Sequence, residues 1–479
     1  MTVEWETVIG LEIHAQLKTR SKLFSSAPNH FGDEPNTNIS TVCTGQPGSL
    51  PVLNKEAVRL AVLLGCALNA NIARYSKFDR KSYFYPDSPR NFQITQFDEP
   101  IIQGGSVTAY IEGKPKTFAI NRAHIEDDAG MLKHFSNFAG VDYNRAGIPL
   151  IEIVSEPCIH SAKEAAAYAM AVKSILEFIG ACSCNMQEGA LRFDANISVR
   201  PKGENRLRNR TEIKNMNSFH NMELAIDAEL KRQIEFYTLY PDKELEKGTY
   251  RFDLLTGQTV MMRRKEEADD YRYFPEPDLV PIVLTEEYIQ SIRESLPELP
   301  QQRYERYLSE LELPEASAQL LISDKALCDY FEEALQICKT PKSLANWILV
   351  EFIGRIKDSG KTLPLSGIAS QQVGKLVKMI NEGVITGKIA KKVADEMVED
   401  PSIDCEEVVK KNPDYQPVSD VGAIESIVEL VLKENESSVA DFKAGKTKAF
   451  AYLVGQVMKR TRGAASPQLV NEILTKKLR

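Results

Sequence analysis

Apolar and polar residues alternate along residues 7–17, which is the period of a β-strand with one buried face. Glu12 and His14 share the polar face, and consecutive residues on one face of a strand lie about 7 Å apart. A carboxylate and an imidazole so placed suit a divalent cation or a phosphate group. The polar outer face of a half-buried strand shows the same pattern, so this segment alone leaves both interpretations open.

A second apolar strand carries an acid in its interior. Residues 150–154 are apolar except for Glu152, and Pro157 ends the segment. A carboxylate among apolar side chains is costly unless it is paired or bound to a cation. An edge strand with a satisfied acid would also fit this window. The matching acid-bearing strand at residues 7–17 favours a site that the two strands share.

A third group of acids follows a predicted hairpin of strands at about 106–112 and 116–122. The segment that follows it, RAHIEDDAGM, contributes Glu126, Asp127 and Asp128. Three consecutive acids usually lie in a solvated turn. In a chain with two other acid-bearing strands, they are a candidate third arm of a cation site.

The remaining pattern alternates strands with helices and then becomes helical. Helices are predicted at about 54–69, 161–180 and 218–237, and further strands at 191–200 and 210–215. This favours an α/β (α+β) region with a largely antiparallel sheet. Proline-rich linkers, one starting at residue 296 and one at 400–420, precede an all-α region and a small helical tail.

Composition narrows the class of protein. The 479 residues are 43% hydrophobic and 26% charged, as in soluble globular proteins. No apolar run approaches the roughly 20 residues of a membrane helix, and the amino terminus lacks a signal pattern, so a cytoplasmic location is expected. The eight cysteines form no CxxC motif and are expected to be reduced.

The loop at residues 78–100 mixes cations with aromatic residues. Arg80, Lys81 and Arg90 are interleaved with rings at positions 83–85 and 92. Such a mixture suits contacts with phosphates and bases. Aromatic residues near prolines also simply pack loops, so this signal is weak.

Four segments of the chain closely resemble the B-subunit family of the tRNA-dependent amidotransferases: VIGLEIHAQLKTRSKLFS, FDRKSYFYPD, DYNRAGIPLIEIVSEP and DYRYFPEPDL. The later segment KAFAYLVGQVMKRTRGAASPQLVNEIL looks like that family's terminal domain. The resemblance is collinear over essentially the whole chain. It implies a cradle domain at residues 1–292, a helical domain at 293–408 and a tail domain at 409–479.

The resemblance also implies a reaction and partners. A ligase of this family uses ATP to phosphorylate the side-chain carboxylate of Glu carried on tRNA(Gln), or of Asp carried on tRNA(Asn). Ammonia from the glutaminase, or A-subunit, then converts it to the amide, and the heterotrimer is held together with the help of a small C-subunit. Gly104-Gly105-Ser106 is similar to part of an amidase motif, but the rest of that machinery is missing. This fits a subunit that receives its ammonia.

The phosphoryl transfer that the resemblance implies explains why the predicted strands carry acids. Transfer of a phosphoryl group needs in-line positioning and divalent charge to neutralise phosphate oxygens. The resemblance assigns Glu12, His14 and Glu152 to catalysis, and Arg80 and Lys81 to phosphate or acceptor-end contacts. It assigns the ligands of Mg²⁺ to Glu12, His14, Glu126, Asp127 and Glu152.

Two departures from the family pattern matter. Members usually read EEDAGK where residues 126–131 read EDDAGM, so the shorter Asp127 has a reduced reach. Many members also carry cysteine pairs for zinc near the amino terminus, where this chain has Ser25, Ala27, Ser40 and Cys43. One thiol cannot make a four-ligand structural site, so zinc is expected to be absent.

The tail is basic although the chain is acidic. Residues 441–479 hold nine Lys or Arg against two acids, in a chain of net charge −8. A solvated helix face would look the same, but a tRNA body needs a second anchoring surface and its phosphates suit such cations. The candidate tRNA contacts are Lys446, Lys448, Lys459, Arg460 and Arg462.

Two other functions remain open at this point. One is a non-catalytic tRNA-binding subunit whose acids are structural. The other is a self-contained ligase that uses free ammonia. The sequence also leaves open whether the Glu or the Asp substrate is physiological.

Overall fold

The computed structural model describes residues 3–214, 216, 218–264, 268–415, 421–443, 446–461, 465 and 467–478. It divides into two compact units, residues 1–302 and 303–479. The domain boundaries near 292 and 408 stay predictions. Among the described residues, no helix combines the length and apolar character needed to cross a bilayer.

The first unit contains all the described strands. They are β1 (Trp5–Gln16), β2 (Asn71–Ile72), β3 (Tyr75–Ser76), β4 (Asp79–Ser82), β5 (Phe92–Thr95), β6 (Ile102–Gln103), β7 (Ser106–Ile111), β8 (Lys114–Asp127), β9 (Met131–His134), β10 (Ala139–Asp142), β11 (Pro149–Ser155), β12 (Leu191–Pro201), β13 (Thr211–Lys214), β14 (Gly248–Asp253), β15 (Gln258–Arg264), β16 (Phe274–Pro275) and β17 (Ile282–Val283).

The described helices, unlike the strands, occur in both units. They are α1 (Lys55–Ala67), α2 (Ala162–Phe178), α3 (Phe219–Leu239), α4 (Glu286–Glu294), α5 (Pro300–Ser309), α6 (Glu315–Ile322), α7 (Lys325–Cys338), α8 (Pro341–Asn346), α9 (Ile353–Ile356), α10 (Ser370–Asn381), α11 (Gly387–Glu399), α12 (Cys405–Lys411), α13 (Val421–Glu434), α14 (Glu436–Lys443), α15 (Thr447–Arg460) and α16 (Pro467–Leu478). A π-helical turn, Trp347–Phe352, joins α8 to α9.

One large sheet organises the first unit. Its strands lie in the order β15-β14-β13-β12-β1-β11-β8-β6-β2, with β7 also paired to β8. Every pair in it is antiparallel except β13 with β14. The largely antiparallel α+β fold and the all-helical region after it are therefore confirmed.

The side chains of strand β1 alternate between an apolar face and a polar face of the sheet. Ile9, Leu11, Ile13 and Ala15 are fully buried in a core that also contains residues of α1, α2 and α3. The intervening side chains, among them those of Glu12 and His14, are only partly buried. Helix α2, which packs on this core, begins at a side-chain cap, because Ser161 accepts a hydrogen bond from the Glu164 backbone N–H at 3.2 Å.

The second unit depends on close helix packing at one glycine. A Cβ atom at Gly374 of α10 would lie 2.7 Å from the Ala334 carbonyl oxygen of α7. We expect Gly374→Ala to destabilise this unit by about 1–3 kcal/mol, because the backbone of α7 must move. Calorimetry should show a lower Tm. In the control Gly455→Ala, no described atom lies within 4 Å of the added methyl. That helix should gain up to about 1 kcal/mol, and a lowered Tm there would contradict the packing argument.

Candidate active site

Three strands of the sheet bring one imidazole and two carboxylates together on the polar face. His14 lies on β1 directly opposite Glu152 on β11, and Glu126 lies on β8. The His14 Nε2 atom is 3.4 Å from a Glu152 oxygen and 4.0 Å from a Glu126 oxygen. One donor atom from each of the three lies within 4.8 Å of the others, which is suitable for a single cation.

Sequence reasoning missed a second imidazole at this position. His124 lies opposite Glu152 in the register, and its Nε2 atom is 3.4 Å from Glu152 and 3.6 Å from Glu126. Burial lowers the pKa of His124, but the charges and hydrogen bonds of the two carboxylates outweigh this and raise it to about 9. The signal was present, because the two-residue period of a strand puts His124 and Glu126 on one face.

The raised pKa of His124 predicts that binding of a divalent cation at this site releases protons. A divalent cation at Glu126 and Glu152 would neutralise the charges that hold the imidazole proton, so the pKa of His124 should fall from about 9. We expect addition of Mg²⁺ at pH 8 to release up to about one proton per chain in weakly buffered solution. His124→Gln should release fewer protons than the unmodified chain. Equal release by the variant would contradict this assignment.

Glu12 belongs to a separate group of acids. It lies opposite Asp194 of β12, and one oxygen each from Glu12, Asp194 and Glu212 of β13 lies within 4.8 Å of the others. Burial, followed by the nearby charge of Glu152, raises the pKa of Glu12. Lys214 lies 2.5 Å from Asp194 and 3.3 Å from Glu212. The five predicted ligands thus do not form one set, and Asp194 and Glu212 were not predicted.

Asp127 lies outside both groups. Its side chain forms an ion pair with Arg90 and accepts a hydrogen bond from the Ile94 backbone N–H at 2.9 Å. Adjacent residues of a strand point to opposite faces, so Glu126 and Asp127 face different sides of β8. The structure does not bring Asp127 to the cation donors, and its role as a ligand stays a prediction.

A cavity of about 520 Å³ opens over the polar face of the sheet. His14, Glu126 and Asp194 contribute to its wall, as does the loop at 186–189. Five cations also line it: Lys81, Arg90, Arg145, Arg192 and Lys214. Acids that suit a divalent cation and several cations that suit phosphate oxygens therefore face one volume, which is the charge arrangement that a nucleoside triphosphate requires.

Lys81 and Arg192 remain charged at the cavity. Burial lowers the pKa of Lys81, but the negative charges of Glu126 and Glu152 raise it well above its usual value. Arg192 donates a hydrogen bond to Asp128 at 2.9 Å, and this acid chiefly raises the Arg192 pKa. Asp128 thus holds Arg192 in place, and both cations line the cavity in their charged form.

Comparisons with known proteins agree with this chemistry. A family model described as "GatB/GatE catalytic domain" matches residues 7–290, and one described as "GatB domain" matches residues 329–478. A protein of Protochlamydia amoebophila (strain UWE25) is 63% identical over 99% of this chain and 97% of its own length. Those of Chlamydia trachomatis serovar A and Chlamydia muridarum are each 57% identical over 99% of this chain and 98% of their own lengths. All three are named as the B-subunit of aspartyl/glutamyl-tRNA(Asn/Gln) amidotransferase.

The chain belongs to the B-subunit family of these amidotransferases. It is therefore a ligase subunit that uses ATP and works in a multi-subunit complex.

Arg80, which the family resemblance suggested as a phosphate contact, is engaged elsewhere in this amidotransferase subunit. Its guanidinium donates to Glu276 at 2.7 Å and to Asp278 at 3.1 Å, and lies 4.3 Å from the centre of the Phe92 ring. Strand β16 immediately precedes Glu276 in the chain, and its Phe274 pairs with Arg80 of β4. Arg80 thus fastens this segment to β4, while its predicted phosphate contact stays a prediction.

The positions where many family members carry zinc cysteines hold a hydrogen-bonded thiol here. The Cys43 sulfur lies 3.1 Å from the Ser40 hydroxyl and 3.5 Å from the Ser25 hydroxyl. The Lys22 ammonium is almost fully buried nearby and donates to the Ala146 carbonyl at 2.7 Å. The expected lack of zinc stays a prediction.

Two of the candidate tRNA contacts in the tail already have acidic partners. Lys446 lies 2.9 Å from Asp441, and Arg460 forms an ion pair with Glu434. Lys459 is exposed at the end of α15. The side chain of Lys448 and the whole of Arg462 lie outside the described part of the chain.

Proposed function

We propose that this subunit uses ATP to phosphorylate the side-chain carboxylate of Glu on tRNA(Gln) or of Asp on tRNA(Asn). The glutaminase subunit supplies ammonia for the amide, and the heterotrimer also contains the small C-subunit. The observation that carries the proposal is the cavity whose wall contains five cations and members of both acid groups, His14 and Glu126 from one and Asp194 from the other. The names of the similar proteins support the two tRNA substrates.

The two groups of acids, each with at least one member in the cavity wall, suit Mg²⁺. Each of the two groups offers carboxylate oxygens, the ligands that Mg²⁺ prefers, and His14 adds one nitrogen. We assign a cation to each group, His14-Glu126-Glu152 and Glu12-Asp194-Glu212. When bound, Mg²⁺ would neutralise charge on the phosphate oxygens.

The protein's own cations hold the substrates. Lys81, Arg90 and Arg192 line the cavity and can bind the phosphate oxygens and the incoming carboxylate, which would otherwise repel each other. Asp128 fixes Arg192, and Asp127 fixes Arg90, so both guanidiniums are oriented before the substrates bind. Such prior orientation lowers the cost of aligning the attacking oxygen with the phosphorus.

Purified chain and assembled complex should behave differently. Alone, the chain should hydrolyse no glutamine. With the glutaminase and small subunits it should convert Glu-tRNA(Gln) or Asp-tRNA(Asn) to the amide, with ATP cleavage that depends on the misacylated tRNA. Ser106→Ala is a control, since Ser106 is not proposed as a nucleophile, and amide formation should be unchanged.

The alternatives give other results. Binding of the misacylated tRNA without any ATP cleavage would indicate a subunit that only binds tRNA. Amide formation by the chain alone at modest ammonia would indicate a self-contained ligase. Steady glutamine hydrolysis by the pure chain would refute the division of labour between subunits.

A further inference from the structure

The hairpin of β9 and β10 ends in a pair of exposed aromatic rings. The Phe135 and Phe138 rings are nearly parallel, with centres 4.6 Å apart and planes inclined by 22°. The two residues are 53% and 64% exposed, respectively. Large aromatic side chains stabilise a fold mainly when they are buried. The stability of this unit therefore does not explain why two rings face solvent side by side.

The hairpin of β9 and β10 starts at the wall of the cavity that opens over the polar face of the sheet. Ala129 and Met131 line the cavity, and the Gly130 N–H donates to the Asp87 carbonyl at 2.7 Å. The returning strand is fastened by Asn36, whose side-chain amide donates to the Val141 carbonyl at 3.0 Å. Four strand residues at about 3.3 Å each separate Met131 at the cavity wall from Phe135 by about 13 Å along the strand. The rings are thus carried by a hairpin whose base is hydrogen-bonded at the cavity wall.

The charges beside the rings favour an anionic partner. Lys133 and His134 precede Phe135 and are exposed, and the sequence from Lys133 to Ala139 contains no acid. Exposed rings next to cations are typical of surfaces that bind single-stranded nucleic acid, because every base offers a flat face for stacking. A stable protein interface needs about 800 Å² from each partner, which one narrow hairpin tip does not supply by itself.

We propose that Phe135 and Phe138 form a stacking platform for the unpaired bases at the 3′ end of the aminoacyl-tRNA. The inference rests on the proposed function, which requires that end to bring its amino acid into the cavity. Stacking does not read base identity, so the platform serves Glu-tRNA(Gln) and Asp-tRNA(Asn) alike. It acts on binding and positioning, at a distance from the phosphorylated carboxylate.

The experiment uses the assembled complex and a misacylated tRNA with 2-aminopurine at one unpaired 3′ position. Stacking quenches this fluorescent base, so binding to the unmodified complex should lower its emission. The double variant Phe135→Ala/Phe138→Ala should restore the emission and raise KM for the tRNA about fivefold or more, with kcat little changed. Phe135→Trp should keep both the quenching and the low KM.

A second exposed hairpin provides the matched control. Leu254 and Leu255 lie between β14 and β15 and are 64% and 97% exposed. Replacing both with alanine removes apolar surface from a hairpin tip without aromatic rings, and should change neither quenching nor KM. An effect equal to that of the phenylalanine pair would overturn the stacking argument.

Other outcomes also decide the matter. Unchanged quenching and KM in the double alanine variant would overturn the platform. A folded double variant that no longer assembles with the glutaminase and small subunits would instead identify the rings as a protein contact. If the unmodified complex forms no amide but still quenches the probe through these two rings, the proposed function fails and the platform stands.

Discussion

Replacing Glu152 with glutamine in the assembled complex is expected to lower tRNA-dependent ATP cleavage at least about a thousandfold. Its carboxylate lies 3.4 Å from both His14 and His124. Burial raises the pKa of Glu152, but the two imidazoles outweigh this and hold it well below its usual value. Glutamine keeps the volume and removes this charge. Formation of ADP and of the amidated tRNA measures the loss.

The control lies four residues further along the chain. Glu156 is outside β11 and accepts a hydrogen bond from the Asn121 side chain at 2.8 Å. Glu156→Gln should retain ATP cleavage within a fewfold of the unmodified complex. Glutamine hydrolysis by the glutaminase should fall far less than ATP cleavage in Glu152→Gln. Near-normal ATP cleavage by Glu152→Gln at saturating Mg²⁺ would refute its assignment as a ligand.

The alternation of β1 shows how far the sequence leads. It predicted correctly that Glu12 and His14 share the polar face, but not which neighbouring strand each side chain would meet. Antiparallel pairing puts Glu12 opposite Asp194 on one side and His14 opposite Glu152 on the other. Because two strands flank β1, one row of side chains contributes to two groups of acids. Strand order is a property of the whole sheet, and local periodicity does not contain it.

The two-residue period of a strand also contains the position of His124. The same rule that joined Glu12 to His14 puts His124 beside Glu126 and separates Glu126 from Asp127. Applied to β8, the two-residue period would have predicted that His124, and not Asp127, shares a face with Glu126. Arg145 and Arg192 were harder to predict. Arg145 reaches the cavity from a loop, and Arg192 from β12, a strand that pairs with β1 but lies far from it along the sequence. Only the folded sheet brings such positions together.

Deleting the chain after Tyr415 is expected to weaken binding of misacylated tRNA at least about tenfold and to flatten its salt dependence. The tail has an apolar cluster of its own, which includes Ile424, Leu453 and Leu474. Each phosphate that its cations neutralise contributes about 0.7–0.9 to the slope of log affinity against log salt. Amide formation at saturating tRNA should fall less than affinity, because the cavity residues lie in the other compact unit.

The structure decides where to cut the chain. A cut at residue 408 would divide α12, whose Val409 is 2% exposed, and would also remove Tyr415, whose hydroxyl hydrogen-bonds Glu396. Such a cut would disturb the helices that remain, so Tyr415 should be kept. Loss of affinity could then be attributed to the tail rather than to damage in α11 or α12.

Ion pairs within the tail set the size of the salt effect. Lys446, Arg460 and Lys477 already contact acids, the last with Glu425 at 2.7 Å. A phosphate must compete with these acids, so exposed Lys459 and Lys476 should contribute more to the slope than the paired cations. Lys459→Gln/Lys476→Gln should therefore flatten the salt dependence more than Lys446→Gln/Lys477→Gln. Equal affinity of the truncated and full chains across a salt series would identify the tail as a solvated helical face, because a phosphate-binding surface cannot be lost without a change of slope.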